Sequence, residues 1–193
     1  DGINHLYAKR NKSAKSIFEK MLATIPNNID ANYWLGQTHL AMENLPGAKS
    51  VFEKALMNNG NAPLLLVGMG QVELWENKTN DARQRFETAI SISKTKKGDD
   101  PIVLNAIGLA NVDAKAGDAA YAVEKLKGAV EKEPRNATFL LNMGDAYKKA
   151  VDGSNAFVNY TAALSANPSF AFANFRIAKL FETQKNWESF LEY

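Results

Sequence analysis

The chain has 193 residues, and its 23 Lys and Arg against 21 Asp and Glu leave a net charge of +2. This length corresponds to one domain or two small ones, and so small a net charge argues against a nucleic-acid-binding surface. The chain contains no Cys, which excludes disulfides and thiol chemistry. None of its apolar runs approaches the roughly 20 residues that a membrane span requires.

Short breakers rich in Asn, Gly, Pro and Asp divide the chain into helical segments, which we predict in pairs of about 12–16 residues each. The predicted helices span 3–9 and 12–24, 29–43 and 46–58, 63–76 and 79–95, 101–116 and 119–132, 137–150 and 153–166, and 171–184 and 187–193. The second helix of the third pair is expected to run about one turn longer than the others, through Lys96. Two additional residues are expected in the turn around Gly117.

One pattern recurs in four consecutive pairs. The first helix carries an apolar residue followed by Gly: Leu35-Gly36, Met69-Gly70, Ile107-Gly108 and Met143-Gly144. The second helix carries Ala, a large residue four positions later and Ala three positions further: Ala48, Phe52, Ala55; Ala82, Phe86, Ala89; Ala122, Leu126, Ala129; and Ala156, Tyr160, Ala163. Such spacing forms one helical stripe, in which small residues let two helices approach and the large residue fills the groove between them. We therefore expect the four glycines to be buried at helix crossings.

These positions resemble the tetratricopeptide repeat (TPR) family, whose pattern places Leu-Gly in the first helix, Ala-x3-Phe in the second and Pro after it. The resemblance covers the whole chain and implies an all-α fold, a right-handed α-α superhelix (TPR solenoid). We expect a single domain, 1–193, with complete repeats at 29–62, 63–100, 101–136 and 137–170. Partial repeats are expected at 1–28 and 171–193, so that the chain is expected to be a fragment of a longer one.

Residues that could carry catalysis are few. His5 and His39 are the only histidines, and each lies three residues after a Gly, where the family usually has Tyr. We expect both to fill space between the two helices of a repeat. Gly68-Met69-Gly70 begins a G-x-G motif, but the third Gly and a preceding strand are missing, so a phosphate-binding loop is not expected. The usual nucleophile–base pairs lack members, and we expect no enzyme activity, no cofactor and no metal.

The resemblance also implies a binding surface. In the TPR family the first helices line a concave groove that commonly binds an extended peptide or a helix. The groove residues implied here are Tyr33, Trp34, Gln37, Val67, Gln71, Leu74, Trp75, Asn105, Asn142, Lys148, Lys149 and Arg176. This set is aromatic and apolar in the second and third repeats and polar and basic in the fifth and sixth. The expected partner is therefore a segment with apolar anchors at one end and acidic residues at the other.

The segment 63–76 is apolar on nearly every side, and such a helix must be covered all round. Two interpretations stay open. Either the helix leaves an exposed apolar strip that marks a binding site, or Leu40 and Leu74 turn into the contact between helices and only Trp75 is exposed. The family's clamp for the C-terminal carboxylates of chaperones is not expected, because two of its lysines are missing.

The expected function is that of a non-catalytic scaffold or adaptor that holds a peptide or helical segment of a partner protein in the groove. Two alternatives stay open: a self-association module that forms homo-oligomers, and the recognition arm of a larger enzyme whose catalytic domain lies outside this segment. A protein partner of unknown identity is expected, with no nucleic acid and no membrane span. The absence of Cys and the many Asn slightly favour a bacterial cell envelope or periplasm, and they are also compatible with the cytoplasm.

Overall fold

The computed structural model describes residues 2–183, which form eleven α-helices and no strand. The helices are α1 (Gly2–Tyr7), α2 (Asn11–Thr24), α3 (Ile29–Ala41), α4 (Leu45–Asn58), α5 (Pro63–Trp75), α6 (Thr79–Ser93), α7 (Pro101–Asp113), α8 (Ala119–Lys132), α9 (Ala137–Lys149), α10 (Gly153–Ala166) and α11 (Ala171–Thr183). The predicted all-α fold class is confirmed. The predicted helix at 187–193 lies outside the described residues.

The helices begin where side chains can cap them. Asn28, Asn44, Asp118, Asn136 and Asp152 each accept a hydrogen bond from a backbone N–H in the first turn of the following helix. Such a cap satisfies a donor that the helix itself leaves unpaired. This is why the breakers in the sequence locate the helix starts closely.

Two predictions about turns have different outcomes. The expected extension of α6 through Lys96 is wrong, because α6 ends at Ser93 and the chain closes a tight turn in which Thr95 and Gly98 exchange backbone hydrogen bonds of 2.9 and 3.0 Å. Gly98 adopts φ 99°, a left-handed conformation that helical residues do not tolerate. The insertion around Gly117 is confirmed, since residues 114–118 separate α7 from α8 whereas three residues separate α3 from α4.

The described helices fall into two compact units. Among the described residues, the first comprises 2–99 and 114–116 and contains α1 to α6; the second comprises 100–113 and 117–183 and contains α7 to α11. Within each unit, every second helix packs against the first helix of its own pair and of the next pair, as α4 does with α3 and α5, and α8 with α7 and α9. Such nearest-neighbour packing is the architecture of repeat proteins.

The core of each repeat is the predicted stripe. The large residues Phe52, Phe86, Leu126 and Tyr160 are at most 1% exposed. A Cβ atom on the Gly of the same repeat would come within 3.0 Å of that large side chain, at Gly36, Gly70, Gly108 and Gly144. The prediction that these glycines are buried at helix crossings is confirmed.

Candidate functional site

The twelve predicted groove residues differ sharply in their access to solvent. Trp75 and Lys148 are exposed. Four are partly buried: Trp34, Asn105, Lys149 and Arg176. Six are buried: Tyr33, Gln37, Val67, Gln71, Leu74 and Asn142. Their role in binding stays a prediction. Without a bound partner, the two exposed and the four partly buried residues are accessible, and the six buried ones are not.

Helix α5 is covered nearly completely. Every residue from Leu65 to Leu74 is buried, and Leu40 of α3 is 4% exposed, whereas Trp75 is 39% exposed. The expectation of an exposed apolar strip along this helix is therefore wrong, and the second interpretation, in which only Trp75 is exposed, holds. The reason lies in two glycines: Gly68 lies against the Phe52 ring of α4 and Gly70 against the Phe86 ring of α6, so both neighbours approach closely.

The glutamines of α3 and α5 bind each other. Gln37 Nε2 donates to Gln71 Oε1 at 2.6 Å, and the two residues are 6% and 1% exposed. Buried amides need such partners, because an unpaired polar group in the interior costs about 1–3 kcal/mol. In the free chain, this pair joins the first helices of two consecutive repeats instead of presenting its amides to a partner.

Aromatic side chains form the accessible part of the predicted site in the first unit. Trp34 stacks edge-on against the buried Tyr33, with ring centroids 5.1 Å apart, and also packs on the cluster around Phe18. Trp75 ends α5 and is followed by Glu76, whose carboxylate binds Lys49 at 2.8 Å and Lys78 at 2.5 Å. Both hydrogen bonds hold the pKa of Glu76 below its usual value. Two ion pairs thus lie directly beside Trp75.

Sequence reasoning missed a buried ion pair. Glu73 of α5, 7% exposed, accepts from Arg85 of α6, whose Nε lies 3.0 Å from each carboxylate oxygen and whose second guanidinium nitrogen also donates. Hydrogen bonding to Glu73 raises the pKa of Arg85. Glu73 occupies the position three residues after Gly70, where the family has Tyr. A single acidic residue within an otherwise apolar helix was the signal that could have revealed it.

Two other residues at this position, His39 and Asn111, are also satisfied locally, whereas the buried His5 Nδ1 has no hydrogen-bond partner among the described residues. His39 Nδ1 lies 3.1 Å from Asn44 Nδ2, and Asn111 donates to the carbonyl of Ile107 and accepts from the backbone N–H of Asp118. Burial holds the pKa of His39 below 6.5, and the nearby Lys15 acts in the same direction. His39 therefore fills the space between two helices as expected, with a specific hydrogen bond in addition.

Two of the predicted basic groove residues in the second unit, Arg176 and Lys149, already bind other groups of the protein. Arg176 Nε donates to both oxygens of Asp145, at 2.8 and 3.1 Å, and the Tyr160 hydroxyl donates to the same carboxylate at 2.7 Å. Lys149 Nζ donates to the last carbonyls of α7, those of Asn111 at 2.7 Å and Val112 at 3.0 Å. Burial lowers the pKa of Lys149 and raises that of Tyr160. Lys148 is the most accessible of the predicted basic groove residues.

An amide pair accompanies these charges. Asn142 Nδ2 donates to Asn105 Oδ1 at 2.9 Å, while the buried Asn142 Oδ1 has no hydrogen-bond partner among the described residues.

Residues 2–183 contain no group of three or more His, Asp or Glu that could hold a metal ion. None of the helices in that range combines the length and apolarity needed to cross a bilayer.

Comparison with known proteins shows a family match over the first third of the chain and structural similarity over most of it. A family model described as tetratricopeptide repeat matches residues 5–65. No curated protein matches the sequence. Among solved structures, the chain is similar to the human IFIT1 dimer with m7Gppp-AAAA (TM-score 0.67, 17% identity), over 95% of this chain and 45% of IFIT1. The chain therefore spans less than half the length of IFIT1.

Two further structures are similar over most of both chains. PilW, described as a widely conserved type IV pilus biogenesis factor, gives a TM-score of 0.61 at 15% identity, over 100% of this chain and 86% of PilW. MamA gives a TM-score of 0.53 at 18% identity, over 82% of this chain and 90% of MamA. Likeness at such identities concerns the fold. Together with the match over residues 5–65 and the same buried Gly, Ala and large positions in the later helix pairs, it shows that this chain has the fold of tetratricopeptide repeat proteins.

Proposed function

We propose that this chain is a non-catalytic scaffold that binds a segment of a partner protein through the first helices of its repeats, with Trp75 as the main contact. Tetratricopeptide repeat proteins are generally protein-interaction scaffolds, and their fold is typical of non-catalytic proteins. The observation that supports the proposal is the contrast within α5: ten consecutive buried residues are followed by a Trp that is 39% exposed.

Trp75 has the properties of a binding hot spot. A Trp buries a large area at a small loss of conformational entropy, and truncation of such anchors costs about 2 kcal/mol or more. Its neighbours in the chain are anchored to the fold, because Leu74 is buried and Glu76 binds two lysines. Trp34, which rests on Tyr33, offers a second partly exposed aromatic surface in the same unit. The partner segment is therefore expected to carry apolar side chains.

In the second unit, the accessible polar residues Asn105 and Lys148 are the proposed contacts. Arg176 and Lys149 support the site instead, because Asp145 and the carbonyls of α7 already occupy them. An exposed lysine at the rim mainly adjusts association rate and salt dependence. The pairing of Arg176 and the burial of Asn142 also argue against capture of a chaperone C-terminal carboxylate, which would need both groups accessible.

The test uses peptides selected from a random library by the wild-type chain. Titration of a selected peptide is expected to show that Trp75→Ala weakens binding at least tenfold, about 1.4 kcal/mol. Met57→Ala is the matched control, because Met57 belongs to the same unit, is 81% exposed and lies on the second helix α4. Equal affinities for wild type and Trp75→Ala, or a loss of binding in Met57→Ala alone, would contradict the proposal.

A further inference from the structure

Helix α10 differs from every other second helix that the structure describes. It contains no charged residue, and the charge-free stretch runs from Gly153 to Phe175 in a chain of which 23% is charged. Helices α2, α4, α6 and α8 each carry both acidic and basic residues. The outer face of α10, opposite the buried Ala156 and Tyr160, is therefore unlike the outer faces of the other repeats.

Equivalent positions make the difference specific. Five residues after the first Ala of the stripe, the other second helices place an exposed charged residue: Glu19, Glu53, Glu87 and Lys127. The corresponding residue of α10 is Thr161, which is exposed as well. Two residues after the same Ala stands Val158, 60% exposed, where α2 has Ser16.

A second exposed apolar residue lies beside the start of this helix. Val151 is two residues before α10, in the connection between α9 and α10, and is 91% exposed. Lys9, Glu43 and Asn77 hold the corresponding position of earlier repeats, and like Val151 they have a positive φ. The left-handed turn therefore recurs among the repeats. Val151 differs in placing an exposed, β-branched apolar side chain where these repeats have a polar one.

We propose that two copies of this chain associate about a two-fold axis through the outer face of α10, formed by Ser154, Val158, Thr161 and Ser165, together with Val151 just before the helix. In an isologous contact, residues near the axis meet their own counterparts, so that any charge there opposes an identical charge. Among the described second helices, only α10 presents an outer face free of that repulsion. An uncharged face is complementary to itself, and interface cores are depleted in charged residues.

This surface is distinct from the proposed peptide site, because it belongs to a second helix and excludes Trp75. The experiment measures the sedimentation of the full 193-residue chain from low to high micromolar concentration. The expected result is a reversible increase from the monomer mass of 21.2 kDa to twice that value. Val158→Glu is expected to raise the dimer dissociation constant at least tenfold. Ser16→Glu, which adds the same charge at the equivalent exposed position of α2, is expected to leave it unchanged.

The variant Val151→Asn distinguishes an effect on dimerisation from an effect on folding. Asn tolerates the left-handed conformation, so this variant is expected to melt at the same or a higher temperature in dilute solution while it dimerises less well. A chain that stays monomeric at all concentrations would overturn the proposal. So would a dimer that Val158→Glu and Val151→Asn leave intact, or one that Trp75→Ala dissociates instead.

Discussion

The ring of Phe52 lies directly over Gly68, where a Cβ atom would come within 3.0 Å of it, although the two residues belong to consecutive repeats. Gly36 packs on the same ring from α3. One fully buried Phe of α4 thus fills the groove between two first helices, and Gly68 is needed for helix packing, not for a phosphate or a partner.

Gly68→Ala is therefore expected to destabilise the chain by about 1–3 kcal/mol, the usual cost of overpacking a tight core. This loss opposes the gain of up to about 1 kcal/mol that Ala brings to a helix over Gly. Gly128→Ala on α8 is the control, because the new Cβ would meet only the Leu104 Cδ1 atom, at 3.1 Å, the movable end of a side chain. Urea unfolding of both variants measures the difference; equal stability of the two would contradict the packing role of Gly68.

Arg85→Met should lower the free energy of unfolding by about 2–3 kcal/mol. The reason is that the Glu73 carboxylate, in a largely buried position, would lose the guanidinium that binds it. Fully buried pairs lose about 3–5 kcal/mol on such a change, and the partial exposure of Arg85 reduces that figure. The double variant Glu73→Met with Arg85→Met is expected to be more stable than Arg85→Met alone. A double variant that is less stable than either single variant would contradict this explanation. It would show that removal of Arg85 does not leave the Glu73 carboxylate without a compensating partner.

The contribution of His39 to stability is expected to decline as the pH falls below about 6.5. Asn44 Oδ1 accepts from Gly47, so its Nδ2 faces His39 Nδ1, which can accept only when it is unprotonated. Because the folded pKa of His39 lies below the unfolded value of 6.5, this imidazole binds more protons in the unfolded chain, and its protonation favours unfolding. Desolvation and the nearby Asp145 raise the pKa of Asp113 to about 7, which acts in the opposite direction, so the contribution of His39 is the difference between wild type and His39→Gln. Unfolding titrations of both chains at about pH 7.5 and 5.5 measure it. Wild type should lose stability relative to His39→Gln at the lower pH; an equal difference at both pH values would contradict this role of His39.

Two adjacent lysines are expected to behave differently. Lys149→Met should destabilise the chain by about 1–2 kcal/mol, because the last carbonyls of α7 lose a charged donor. Lys148→Met, whose side chain is exposed, should change the free energy of unfolding by less than about 0.5 kcal/mol. Thermal melts of both variants provide the comparison, and equal losses would contradict the assignment of Lys149 as a helix cap.

The helices could be predicted from the sequence within three residues at each end, because local chemistry determines them. Caps such as Asn136 begin helices, and Pro63 starts α5. The end of α6 could not be predicted in this way. Residues 94–97 are compatible with a helix, and the turn depends on Gly98 farther along the chain.

The candidate site was less predictable, for a physical reason. The repeat pattern assigns a residue to the first helix and to a face of it, but burial depends on side chains from neighbouring repeats. Gln37 is buried because Gln71 lies 34 residues away and binds it, and Leu74 is buried while the next residue, Trp75, is exposed. No pattern in the local sequence distinguishes the buried residues from the exposed one.

The most direct test of the proposed site is the indole N–H resonance of Trp75, assigned with Trp75→Phe and followed while a library-selected peptide is added. If the first helices bind the peptide, this resonance shifts or broadens in step with binding, while the methyl resonance of Met57, on the second helix α4 of the same unit, stays in place. A saturated complex in which Trp75 is unperturbed and Met57 shifts would contradict binding through the first helices.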